Sequence, residues 1–321
     1  TMQHRSFSDA RTELYQQAKQ AHANGVPVLI PTFAVGRAQE ILQLFRERED
    51  DLRGVVDGEP SVVYDGMITE SMPIYEVFCQ DEFMGDSIIN YRINSNDSEP
   101  FTPDCAWTPK TMEEREQLLD GDTAPIIVAP SGMLTGGWSP YYLRDLTRHY
   151  DDVQVLFIGY QAEGTPGRQI LDAPGDHAEV QITALPAAED YDPETDDFDF
   201  QQQEIRVPTE WVRVIHGMSG HAAANDLLGF ARETTPQGIS LVHGPLSAAA
   251  NLRDHLADNT DATTVQIARR QETIDVGQSG EITSDVEHLL ERQEQLEDEL
   301  AALRSEIEKV ANNQRARKQG E

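Results

Sequence analysis

The sequence is short of cysteine, of lysine and of long apolar runs, and each shortage removes a class of protein. Two cysteines, Cys79 and Cys105, occur in 321 residues, without the spacing of a metal knuckle or the partners of a disulfide framework. They fit a reducing cytoplasm and read as ordinary core or surface residues. No stretch approaches the ~18 consecutive apolar residues of a membrane helix, so no membrane anchor is expected. Residues 1–9 contain no apolar segment, so no secretory signal is visible, and the missing initiator Met suggests a piece of a longer chain.

Lysine occurs four times, and 25 basic residues face 57 acidic ones, for a net charge of −32. Such a field repels nucleic acid at ordinary salt, because backbone affinity comes mainly from Lys and Arg neutralising phosphates. Taken alone, it argues against an RNA partner. The acids are spread along the chain rather than gathered in a tail, and Arg is the main retained cation, which fits adaptation to very high salt. There the Debye length falls to ~3 Å at 1 M, so charge does not veto an RNA substrate.

What is present is 38% hydrophobic residues, enough to give two or three domains a core each. From Val26 to Ile274, short β-prone runs alternate with helical segments. Strands are expected at Val26–Pro31, Ser61–Tyr64, Pro125–Ala129, Val153–Tyr160, Glu179–Leu185, Trp211–Ile215, Ile239–Val242 and Thr264–Ile267. Helices are expected at Ala38–Glu49, Pro73–Phe83, Pro140–His149, Ala222–Glu233 and Leu246–Ala257. This order predicts an α/β fold with a mostly parallel sheet covered by helices. An acidic stretch, 187–203, with seven acids from Glu189 to Asp199, reads as an exposed insertion.

Three loops follow expected strands and carry glycine. In PVLIPTFAVGRAQEIL (27–42) a strand turns at Gly36 into a helix whose first amides lack partners, so Arg37 is a candidate phosphate contact or a plain salt bridge. In APSGMLTGG (129–137), Ser131 and Gly132 could form an anion-binding turn or simply a tight loop. GYQAEGTPGR (159–168) repeats the pattern and ends on Arg168. All three lie at the carboxyl ends of parallel strands, where α/β sheets form their binding crevice. Two histidines extend the series. Ser219 and Gly220 lead into His221 at a strand-to-helix turn, and His243-Gly244 ends the next strand, so both imidazoles are expected at one sheet edge. His216 lies at a strand end near them.

In order, PVLIPTFAVGRAQEIL, YDGM (64–67), SGML (131–134), GYQAEGTPGR, SGH (219–221) and VHG (242–244) resemble the β-CASP branch of the metallo-β-lactamase superfamily, over about Gly25 to Leu256. The resemblance implies a β-CASP domain, here residues 1–206, followed by the C-terminal part of a metallo-β-lactamase αββα sandwich at 207–280. It implies two zinc ions in the intact protein, RNA as substrate, and phosphodiester hydrolysis in RNA 3′-end processing or decay, in a salt-adapted archaeal member. By the same resemblance His221 is the proton donor to the leaving oxygen and His243 a zinc ligand. Ser131, Gly132, Ser219, Gly220, Arg37 and Arg168 become contacts to phosphate or RNA. His243 favours RNA, since many DNA-acting relatives carry Val there. The HxHxDH cluster of the family is absent from these residues and is expected upstream of Thr1. Ala223 stands where the family usually has Asp, and Pro245 where it usually has Glu, with Asp226 and His216 as candidate supporting residues. These departures leave open a catalytically inactive β-CASP scaffold subunit.

Beyond Gly280 the chain is charged, helical in pattern and free of aromatics. With Val286, Gln293, Leu300 and Ile307 at a and Leu289, Leu296, Leu303 and Val310 at d, residues 284–317 carry a coiled-coil repeat, predicting a homodimer. Packing of the same stripe onto the chain's own globular part is the alternative.

Overall fold

Two runs, VLIP and IIVA, are apolar at every position, and both are buried on both faces. That pattern belongs to the inner strands of a helix-covered parallel sheet. The computed structural model describes residues 5–53, 62–78, 83–96, 99–119, 124–185, 200–269 and 274. Along the chain come α1 (Phe7–Ala23), β1 (Val28–Pro31), α2 (Arg37–Arg46), α3 (Glu49–Arg53), β2 (Val62–Tyr64), α4 (Met67–Val77), α5 (Asp86–Ser95), β3 (Ala106–Trp107) and α6 (Met112–Leu119). Then follow β4 (Ile126–Ala129), α7 (Trp138–His149), β5 (Gln154–Phe157), α8 (Pro166–Leu171), β6 (His177–Ala184), β7 (Gln201–Pro208) and β8 (Val212–Val214). The last are α9 (Ala224–Thr234), β9 (Gly238–Leu241), α10 (Leu246–Asn259) and β10 (Thr264–Ile267).

The chain divides into two compact units, His4–Gly220 and a second that begins at His221. In the first, a six-stranded sheet runs in the order β3-β2-β4-β1-β5-β8, parallel throughout. Alternation along the strands feeds two cores. Val28, Ile30, Ile126 and Val128 face Leu14, Ile41, Leu42 and Phe45 of α1 and α2. Leu29, Val63, Ile127 and Ala129 face Tyr141, Tyr142 and Leu146 of α7. The antiparallel hairpin β6–β7 adds Val180, Ile182 and Val207 to that second core. Each such side chain stabilises the fold by about 1.5–3 kcal/mol through burial. In the second unit, β9 and β10 pair in parallel and pack Val265 with Leu228 and Leu256 of α9 and α10.

Several expectations are corrected. The helix expected over Pro73–Phe83 starts at Met67, behind Gly66, and Pro73 lies in its interior. The acidic insertion is shorter than expected, because residues 201–203 begin β7 and pair with β6. Residues 186–199 and the coiled-coil repeat lie outside the described residues. Residues 207–220 include β8, which pairs with β5 and completes the large sheet. Among the described residues no helix is long and apolar enough to cross a membrane.

Candidate RNA-processing site

The loops after β4, β1 and β5, three neighbouring strands, interlock at the carboxyl edge of the sheet. Gly132 lies against the Thr32 backbone so closely that a Cβ there would stand 3.3 Å from the Thr32 carbonyl carbon. The Gln161 amide donates to the Gly132 carbonyl at 2.9 Å, tying the β5 loop to the β4 loop. Ser131 uses its hydroxyl to accept from the Thr135 amide at 2.9 Å, and the Ser131 and Leu134 amides donate within the loop. Ser131 and Gly132 therefore hold the shape of this edge.

Arg37 is the first residue of α2 and pairs with Glu40. Burial raises the Glu40 carboxyl above the usual carboxylate value, while Arg37 pulls it down. Gly220 approaches the same guanidinium: a Cβ there would sit 3.0 Å from an Arg37 nitrogen. The exposed Ser219 precedes it. Arg168, on α8, pairs with Asp172 at 2.6 Å. It lines an open cleft of about 790 Å³ with Glu163, Asp176, Glu179 and Arg206, so the cleft's cations are matched by acids. His216 is exposed just past β8, where the next residue, Gly217, packs against Arg5 and Ala10 at the start of α1.

The second unit brings His221 and His243 together. Both are exposed, and their ring centroids are 6.2 Å apart. His243 adopts a left-handed φ of 69°, followed by Gly244 at 100°, so the chain reverses sharply as β9 ends. A non-glycine residue there is uncommon, and such strain clusters at functional sites. Asp226 accepts from the Ala223 amide at 2.9 Å and thereby caps α9. Its carboxylate satisfies a helix-terminal donor that Ala223 could not satisfy with its own side chain.

Sequence reasoning missed the polar cluster beneath YDGM. Asp65, 1% exposed, accepts two hydrogen bonds from Arg115, at 2.7 and 2.9 Å, and one from the Tyr142 hydroxyl at 2.6 Å. The Arg115 guanidinium lies 3.7 Å from the centroid of the Trp138 ring. Gly66 is required at this point, because a Cβ would meet Trp138 at 2.7 Å and its φ is 69°. The one visible signal was a carboxylate directly after an apolar strand.

Residues 38–170 match the Beta-Casp domain, and residues 204–268 match the Zn-dependent metallo-hydrolase RNA specificity domain, which contains His221 and His243. The chain belongs to the β-CASP family. Among β-CASP relatives, the transcription termination factor FttA of Methanocaldococcus jannaschii is 30% identical over 248 residues, 77% of this chain and 35% of the relative. That of Methanothermobacter thermautotrophicus is 31% identical over 242 residues, 74% of this chain and 34% of the relative. FttA of Pyrococcus abyssi is 30% identical over 239 residues, 74% of this chain and 33% of the relative. The chain thus spans about a third of the length of these curated relatives.

Proposed function

We propose that this chain is the RNA-handling part of a zinc-dependent ribonuclease that hydrolyses RNA phosphodiesters in 3′-end processing, transcription termination or decay. The observation that carries the reading is the His221–His243 pair within the RNA specificity match. In this reading residues 1–206 form the β-CASP domain and residues 207–280 the C-terminal part of the metallo-β-lactamase domain. Imidazole changes charge near neutral pH, so His221 can hold a proton for the leaving oxygen of a cleaved phosphodiester. His243 is one imidazole donor toward zinc.

Among the described residues no group of three or more His, Cys, Asp or Glu side chains could hold a metal ion. These residues do not by themselves fit a zinc centre. Residues 284–317 would join two copies through their coiled-coil repeat, in a cytoplasmic setting.

The test is made in the complete protein. His243→Ala is expected to lower bound zinc, measured by atomic absorption, together with RNA cleavage. His221→Ala is expected to retain zinc and slow cleavage about 10²- to 10⁴-fold, the usual contribution of general acid–base catalysis. An equal fall in zinc content for both variants would refute this division of roles. Ala223 and Pro245 favour a second reading, an inactive scaffold of an RNA-processing complex. Under it, neither substitution changes cleavage, because the wild type shows none above background.

A further inference from the structure

Phe33 and Tyr160 are 53% and 60% exposed, two large rings left in water. They leave the sheet from adjacent strands. β1 and β5 pair as Val28↔Gln154 and Leu29↔Val155, and that register, continued past the strand ends, sets Phe33 opposite Gly159, one residue before Tyr160. Both residues therefore lie just past the strand ends at the carboxyl edge, where α/β sheets bind ligands. Isolated exposed apolar residues need no explanation. Here a second observation joins them.

Gly136 and Gly159 lie in the loops on either side of β1, and nothing stands within 4 Å of where a Cβ would project from either. Neither has the positive φ that favours glycine. Packing and backbone conformation therefore do not explain why these positions are bare. A ligand that runs against the main chain would. The two arginines of this edge are paired, Arg37 with Glu40 and Arg168 with Asp172, so attraction to phosphate is weak and affinity must come from another part of the ligand.

We propose that this edge binds single-stranded RNA through its bases. Phe33 and Tyr160 each stack a nucleobase, and the bare backbone at Gly136 and Gly159 admits the sugar–phosphate chain. The inference rests on the RNA reading above and adds the residues that grip the strand. Stacking uses the π-face that every base presents, so binding tolerates sequence changes.

The experiment measures fluorescence anisotropy of the full chain with a labelled oligoadenylate, and with an abasic oligomer of equal length, in molar KCl. The oligoadenylate is expected to bind at least tenfold more tightly than the abasic strand. Phe33→Leu and Tyr160→Leu should each weaken it about 5- to 150-fold, the range a stacked base contributes, while Tyr160→Phe retains affinity. Gly159→Val should weaken binding without lowering the thermal midpoint. Equal binding of the abasic strand, or unchanged affinity in the Leu variants, overturns the stacking assignment and leaves the RNA reading standing. Absence of binding to either oligomer overturns both.

Discussion

Asp65 and Arg115 form an ion pair sealed from water, and its worth lies in what happens when it is broken. The carboxylate also accepts from the Gly66 amide at 2.6 Å and from Tyr142, so its lone pairs are well used. Arg115 is 8% exposed. Removing one partner of such a pair leaves an uncompensated buried charge and typically costs about 3–5 kcal/mol. Asp65→Asn keeps the shape and loses the charge, and stacking of Arg115 on Trp138 restores only part of the loss. Urea denaturation of Asp65→Asn is therefore expected to show a stability loss of about 3 kcal/mol or more. A change under about 1 kcal/mol would show that the cluster is not a buried pair in solution.

At the scale of elements, α7 joins this cluster to the rest of the core, and it makes stability depend on alkaline pH. Tyr142, on α7, donates to Asp65, and burial followed by the Asp65 charge raises its phenol well above the ordinary value near 10. Burial raises Tyr141 as well. The folded chain keeps these phenols protonated, whereas the unfolded chain releases protons from about pH 10. Their stabilisation is complete below that pH and is lost as pH rises toward the folded-state values. Absorbance near 295 nm should show some tyrosines titrating only with unfolding, and Tyr142→Phe should flatten the decline in stability above about pH 10. A smooth titration of all nine tyrosines ahead of unfolding would contradict this. Beyond a carboxylate placed directly after an apolar strand, little of it was legible in the sequence, because Asp65, Arg115 and Tyr142 meet across 50 and 77 residues of chain. What was legible was local. β1 and β4 declare themselves by unbroken apolar runs, and the glycine loops behind them by composition. α1 escaped notice because small residues, Ala10, Ala18 and Ala21, carry much of its buried face. β7 escaped because Gln201, Gln202 and Glu204 face outward and only Ile205 and Val207 are well buried. The His221–His243 pair was legible because each histidine follows its own strand or turn into a helix, so topology alone brings them close.

For the whole molecule the governing quantity is charge. If every one of the 25 cations paired with an acid, 57 − 25 = 32 carboxylates would still lack a partner. Salt weakens the pairs and the repulsions alike, but repulsions are the more numerous. Exposed pairs such as Arg168–Asp172 contribute about 0–1 kcal/mol each and have little to lose. The buried Asp65–Arg115 pair is shielded from ions by its surroundings. Raising KCl from about 0.1 M to 1 M shortens the Debye length from ~10 Å to ~3 Å and leaves mainly the nearest repulsions in force. The same screening lets an anionic strand approach an anionic surface, which matters for a site whose arginines are already paired. The thermal midpoint is accordingly expected to rise from dilute buffer to molar KCl. Because the cause is screening, NaCl should act nearly as KCl does, and most of the rise should be complete by about 1 M, where the Debye length is already ~3 Å. A midpoint that stays constant across this range would mean that self-repulsion is not what limits stability. One that keeps climbing well beyond 1 M, more steeply in sulfate than in chloride, would place the effect in strengthened apolar burial instead.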